Sequence, residues 1–215
     1  LDYARLNLTL GLQAKKASAY QPAWQCLLAA RDFLGEDLAL QETALALDIH
    51  RELAECAYLD GEFPLADAQY PLLAELATQP IDKIRYLSVQ ANQYQLQGRF
   101  HDALRVISAG IALAGIRFPA TAVEITDQIT LEYGQLVEQF SRLTPQELHA
   151  RPDMTQPLLV AAMELLRVQW YASYLVGDVQ LNSLIVVTIA RLSLEKGFCD
   201  VSAFGFVTSA LVASG

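Results

Sequence analysis

The sequence predicts an all-α protein built from antiparallel helical hairpins, and three observations carry that prediction. Apolar residues recur at helical spacing through nearly all of the 215 residues, and no stretch alternates convincingly at period two. Alanine and leucine dominate, with Gln and Glu between them, and such residues favour helix intrinsically. A Gly-x-Phe-x-x-Ala signature also recurs between apolar runs, at Gly61, Phe63 and Ala66 and again at Gly98, Phe100 and Ala103. With 53% hydrophobic and 18% charged residues, the chain can bury a sizeable core.

The elements follow in order. A first helix is predicted over Asp2 to Ala19 and a second over Pro22 to Leu34, closed by Gly35-Glu36. Leu38 to Leu59 and Leu65 to Ala77 come next, separated by Asp60 to Pro64. Asp82 to Gln97 and Asp102 to Ala114 follow, parted at Gly98 to Phe100 and ended by Gly115 to Pro119. These breaks are the glycine, proline and polar punctuation that ends helices. Paired, they give hairpins over about residues 2–34, 38–77 and 82–114. A degenerate hairpin is predicted over 122–148, a fifth over 158–196, and a last one from 198 that is truncated at 215. Together they read as one helical-repeat domain over 1–215. Leu1 is not a Met and LVASG stops in mid-pattern, so the chain is expected to be a piece of a longer protein.

Aligning the turns on alanine brings Ala23, Ala66 and Ala103 together, 43 and then 37 residues apart. An aromatic residue stands three positions before each: Tyr20, Phe63 and Phe100. Gly177-Asp178-Val179, 79 residues beyond Gly98, is a weaker echo. Small residues (Gly11, Ala54, Ala91) fall seven positions before the turn glycine position, where two paired helices approach closely. The physical logic is packing. Glycine caps the first helix in a left-handed conformation, the aromatic wedges the pair, and alanine admits the second helix. Each hairpin leaves an apolar face that the next one covers.

This repeat resembles the tetratricopeptide pattern W-x2-L-G-x2-Y…A-x3-F…P, half-present and with repeats longer than the usual ~34 residues; Tyr94, four before Gly98, sits where that pattern prefers an aromatic. The resemblance implies a superhelix, an α–α solenoid, in which the first helix of each hairpin lines the concave face. Those positions hold Asp48, Arg51, Glu55 and Tyr58 in the second repeat and Arg85, Ser88, Asn92 and Gln95 in the third. Such a mixed polar strip could grip an extended peptide, another protein or a neighbouring domain of the same chain. The Lys/Asn/Arg set that clamps a C-terminal carboxylate in chaperone-binding members is not reproduced, since Ser88 stands where Lys is needed.

Other chemistry is poorly supplied. There is no Gly-Lys pair for a phosphate loop, and Gly-x-Phe lacks a preceding strand. His50, His101 and His149 stand apart from one another and from Cys26, Cys56 and Cys199, so no metal site and no cofactor are expected. Nothing resembles a nucleophile elbow. Glu52 with Glu55, and Glu132 with Glu138, are expected on solvated helix faces rather than as acid/base pairs. Trp170, Tyr171 and Tyr174 lie together before a turn and could line a ligand surface, although core packing is the simpler account. The net charge is −9 with no basic stripe, which speaks against nucleic acid. Three scattered cysteines and no signal peptide make the cytoplasm the default compartment. Val168 to Ala190 is long enough to span a bilayer, but Gly177-Asp178 and its polar side chains argue against insertion.

Three stretches resemble the helical region of large bacterial multidomain signalling proteins: RFHDALRVISAGIALAGIRFP, LHARPDMTQPLLVAAMELL, and the run from Leu181 to the end. The shared features are G-x-x-F-P after a hairpin, P-x-M-T-x-P at Pro152 to Pro157, and L-x-x-x-x-G…S-A-F-x-F at Leu192 to Phe206. In those proteins a predicted AAA/STAND-type ATPase precedes tetratricopeptide-like helices, and a sensor kinase or diguanylate cyclase follows. The resemblance implies a non-catalytic protein-interaction and regulatory module between ATPase and output domain, with no catalytic residue of its own. The alternative is a small-molecule-sensing helical domain of a transcriptional regulator, using Trp170, Tyr171 and Tyr174.

Overall fold

The computed structural model describes residues 1–212. They form twelve helices and, among the described residues, no strand beyond a one-residue parallel bridge between Asp153 and Phe198. The chain is all-α. It divides into two compact units, Leu1–Gln97 and the remainder from Gly98. The division falls inside the hairpin predicted over 82–114, whose two helices therefore belong to different units.

The first unit holds α1 (Asp2–Lys16), α2 (Tyr20–Gln41), α3 (Thr43–Leu59), α4 (Phe63–Asp67), α5 (Tyr70–Leu76) and α6 (Pro80–Leu96). Helix α1 packs on α2, α2 on α3, and α3 on α4, α5 and α6, while α1 also touches α3. One core cluster joins Ala4 of α1, Leu27 and Ala30 of α2, and Ile49 and Leu53 of α3. A second joins Ala54 and Tyr58 of α3, Ala66 of α4, Leu73 of α5 and Val89 of α6. The predicted break at Gly35 is a kink inside α2, with Gly35 at φ 63° and helix continuing to Gln41. The single helix predicted over Leu65 to Ala77 is two. Pro71 has no N–H to donate, and its ring would collide with the carbonyl of Asp67, where α4 ends; α5 restarts with Pro71 in its first turn.

The second unit holds α7 (Phe100–Leu113), α8 (Ala122–Ser141), α9 (Pro145–His149), α10 (Pro157–Leu175), α11 (Val179–Lys196) and α12 (Ser202–Val212). Helix α7 packs on α10, α10 on α11, and α11 also on α8 and α12. Helix α11 is the hub, with every residue from Leu184 to Ala190 buried, as befits a helix apolar on all sides. In place of a degenerate hairpin over 122–148 stand one 20-residue helix and one five-residue helix. Capping boxes start both, Thr121 with Glu124 and Thr144 with Glu147. Of the last predicted hairpin, residues 213–215 lie outside the described residues.

The turns share one geometry. The Gly61 N–H donates to the Tyr58 carbonyl and the Glu62 N–H to the Ala57 carbonyl; Gly177 and Asp178 do the same to Tyr174 and Ser173. These are Schellman caps, which require the left-handed φ of 85° and 78° found at the two glycines. At the first turn Ser18 takes that role with φ 57°. The turn alanines Ala23, Ala66 and Ala103 are fully buried, as are Ala54 and Ala91. A Cβ on Gly11 would lie 2.8 Å from the Leu27 side chain, so α1 and α2 meet closely there.

Candidate functional site

The predicted polar strip lies in the first unit. On α3, Arg51 pairs with Asp48 at 3.0 Å and with Glu52 at 3.4 Å. Lys15 of α1 reaches the same patch, pairing with Glu52 and, at 3.0 Å, with Glu55. Burial lowers the Lys15 pKa, but the hydrogen bond and field of Glu52 and the field of Glu55 outweigh it, and the net shift is upward. Glu52 is buried at 6% exposure, not solvated as its sequence context suggested, because an ammonium from another helix arrives to pair with it.

Tyr58 does not belong to the strip. It is 6% exposed and packs among Ala66, Tyr70 and Leu73, and burial raises its phenol pKa. A large aromatic with a mostly apolar surface fills the gap between α3 and the α4–α5 pair better than it serves a wet face. On α6, Arg85 is exposed and 3.9 Å from Asp82, Ser88 donates its hydroxyl back to the Ile84 carbonyl at 2.8 Å, Asn92 is exposed, and Gln95 is half-buried.

Side-chain hydrogen bonds also link α3, the α4–α5 pair and α6 within the first unit. The Tyr70 hydroxyl donates to Gln93 Oε1 at 2.5 Å, and Gln93 Nε2 donates to Asp67 Oδ1 at 2.7 Å. His50 Nδ1 lies 2.8 Å from Gln69 Oε1, so this histidine has an amide partner. Gln93 is fully buried, and its place four residues after Val89 on the apolar stripe is the sequence signal for that burial.

Trp170, Tyr171 and Tyr174 all stand on α10 in the second unit. Trp170 stacks on Tyr174 with ring centroids 5.5 Å apart and planes 14° apart, and meets Phe204 edge-on at 5.2 Å. One position on along the helix, Tyr171 turns to another face and is exposed, as is Tyr174. Trp170 is half-buried, so the three do not form a core cluster.

A different constellation in the second unit surrounds a cavity of about 330 Å³ between α8, α10, α11 and the 114–118 connection. Glu132 of α8, 5% exposed, is again buried where solvation was expected. Its Oε2 accepts from Thr188 Oγ1 at 2.8 Å and from Arg191 Nε at 3.1 Å, and its Oε1 accepts from Gln128 Nε2 at 2.7 Å. Burial lowers the Arg191 pKa, while Glu132 and Glu195 raise it by more. Arg117 and Lys196 line the same cavity and form no ion pair with any described residue. No local motif announces this site, since its charges come from three separate segments: the 114–118 connection, α8 and α11.

Cys56 is 1% exposed, and burial pushes its thiol up to about 12, which marks a core residue rather than a nucleophile. No described helix is long and apolar enough to cross a membrane. No family model, curated protein or solved structure matches the chain.

Proposed function

We propose that the chain is a non-catalytic helical-repeat docking module whose partner lies along the first helices of its hairpins. The carrying observation is the packing order of the first unit: α3 touches both α1 and α6, while α2 and the α4–α5 pair are the return helices. That order supports a tetratricopeptide-like arrangement, in which the strip would run from the half-exposed Asp48, Arg51 and Glu55 of α3 to the exposed Arg85 and Asn92 of α6. Fixed acids and bases of both signs suit an extended peptide or a neighbouring domain of the same parent protein.

On the resemblance to bacterial signalling proteins, this module would sit in the cytoplasm between a STAND-type ATPase and an output domain. There it would bias the chain between two packed arrangements. In the test, regions flanking this chain in its parent protein are titrated onto it, with wild type set against Arg85→Glu combined with Asn92→Glu. These substitutions are on exposed side chains, so folding is retained. Binding weakened by tenfold or more supports the strip; equal binding by both proteins defeats it.

A further inference from the structure

We infer that the cavity of the second unit is a binding site for a small ligand with an anionic head, phosphate or carboxylate, on a partly apolar body. The charge balance comes first. Arg117, Arg191 and Lys196 line the cavity against the single carboxylate of Glu132. Glu132 is fully engaged by Thr188, Gln128 and Arg191, and Glu195, outside the lining, pairs with Arg191 a second time, so neither carboxylate answers Arg117 or Lys196. Two cations are left over in a chain of net charge −9. A concave site with low-dielectric walls concentrates that field.

Backbone adds to it. Gln156, Leu158 and Leu159 line the cavity, and they are the start of the 19-residue helix α10. That end has no capping side chain. The Leu158 and Leu159 N–H groups are among the donors a helix start leaves unsatisfied, and the helix dipole gives this end partial positive charge. The opposing dipole, at the C-terminus of α11, is partly answered from elsewhere: Arg151 Nη1 donates to the Leu194 carbonyl at 2.6 Å, and the Gly197 N–H donates to Ser193.

The remaining walls set the rest of the ligand. Ile116, Phe118 and Leu192 give the cavity an apolar side, and a volume of about 330 Å³ suits a body of roughly one aromatic ring plus its anion. Nothing about the site requires chemistry on the ligand. It would bridge the loop before α8 to the ends of α10 and α11, and so report ligand through the stability of the unit.

Phenyl phosphate and phthalate serve as probes, with benzyl alcohol as the uncharged comparison, followed by calorimetric titration and by the melting temperature of the chain. Saturable binding of phenyl phosphate, phthalate or both, with a melting temperature that rises with ligand by mass action, is the expected result. Which anion binds separates a phosphate ligand from a carboxylate one. Arg117→Ala combined with Lys196→Ala should weaken binding at least tenfold, whereas Arg105→Ala, an exposed arginine on α7, should leave it unchanged. Both substituted cavity side chains are exposed, so the fold survives. No binding at millimolar probe, equal binding of benzyl alcohol, or equal loss in the Arg105 variant overturns the site.

Discussion

The Tyr70 hydroxyl of α5 donates to Gln93 Oε1 of α6 at 2.5 Å, in a region where Gln93 has no exposed surface. The amide of Gln93 in turn donates to Asp67, so one side chain ties α4, α5 and α6 together. Removing the hydroxyl leaves a buried carbonyl oxygen without a donor. Tyr70→Phe should therefore cost about 1–3 kcal/mol, read as a lower denaturant midpoint with an unchanged slope. Gln93→Leu strands Tyr70 as well and should cost at least as much. A Tyr70→Phe midpoint equal to wild type would mean the bond contributes nothing.

In the second unit Glu132 carries the larger stake. Replacing it with Ala takes from the half-buried Arg191 guanidinium its buried carboxylate partner, leaving only the more exposed Glu195, and leaves Thr188 and Gln128 without their acceptor. Breaking a buried pair from one side costs about 3–5 kcal/mol, so Glu132→Ala should unfold at markedly lower denaturant. Glu138→Ala breaks the exposed pair with Arg142, where both side chains are more than half exposed, and should cost under about 1 kcal/mol. Equal melting of the two variants would contradict the burial of Glu132.

Alkaline pH should destabilise the first unit. Lys15, Cys56, Tyr58 and Tyr70 all have folded pKa values above their ordinary ones. A raised folded pKa gives stability that is whole below the unfolded value and is lost as pH rises through the folded one. For Cys56 that window runs from about 9 to about 12. Each such group contributes a slope of about 1.4 kcal/mol per pH unit inside its window. Trp24 and Trp170 fall in different units, so a Trp170→Phe chain reports the first unit through Trp24 alone. Its denaturant midpoint should drop between pH 8 and pH 11, and Cys56→Ala should flatten the drop. A midpoint constant over that range refutes the linkage.

Local physics was legible in the sequence; long-range pairing was not. Helical periodicity, the turn glycines and the small residues at close approaches all act within a few residues, and each is where the pattern puts it. Pro71 was equally readable, since a proline six residues into a predicted helix must break it. The partner of α7 was not, because α10 begins more than forty residues later and nothing local distinguishes it from α6. The same holds for charge. Glu52 and Glu132 look solvent-facing on their own helices, and only Lys15 and Arg191, from other helices, permit their burial. The cavity cations converge from 117, 191 and 196 and were invisible to spacing.

Among the left-handed glycines of the second unit, Gly197 is the one with no room for a Cβ. It ends α11 at φ 106°, where a side chain is strained, and a Cβ there would stand 2.7 Å from the Pro152 carbonyl oxygen and 2.8 Å from the Asp153 carbonyl carbon. Those atoms cannot swing aside, because the chain at 152–154 is pinned to it: the Phe198 N–H donates to Pro152 at 2.9 Å and the Met154 N–H to Phe198 at 2.7 Å. Gly35 is a fair comparison, at φ 63° with nothing within 4 Å of its would-be Cβ. Gly35→Ala should cost about 1 kcal/mol, the conformational part alone. Gly197→Ala adds a collision with fixed backbone and should cost about 3 kcal/mol or more, with faster amide exchange at Met154 and Phe198 as the 152–154 strap is forced off α11. Equal losses for the two glycines would show that the strap yields freely, and that 152–154 does not help hold the end of α11 in place.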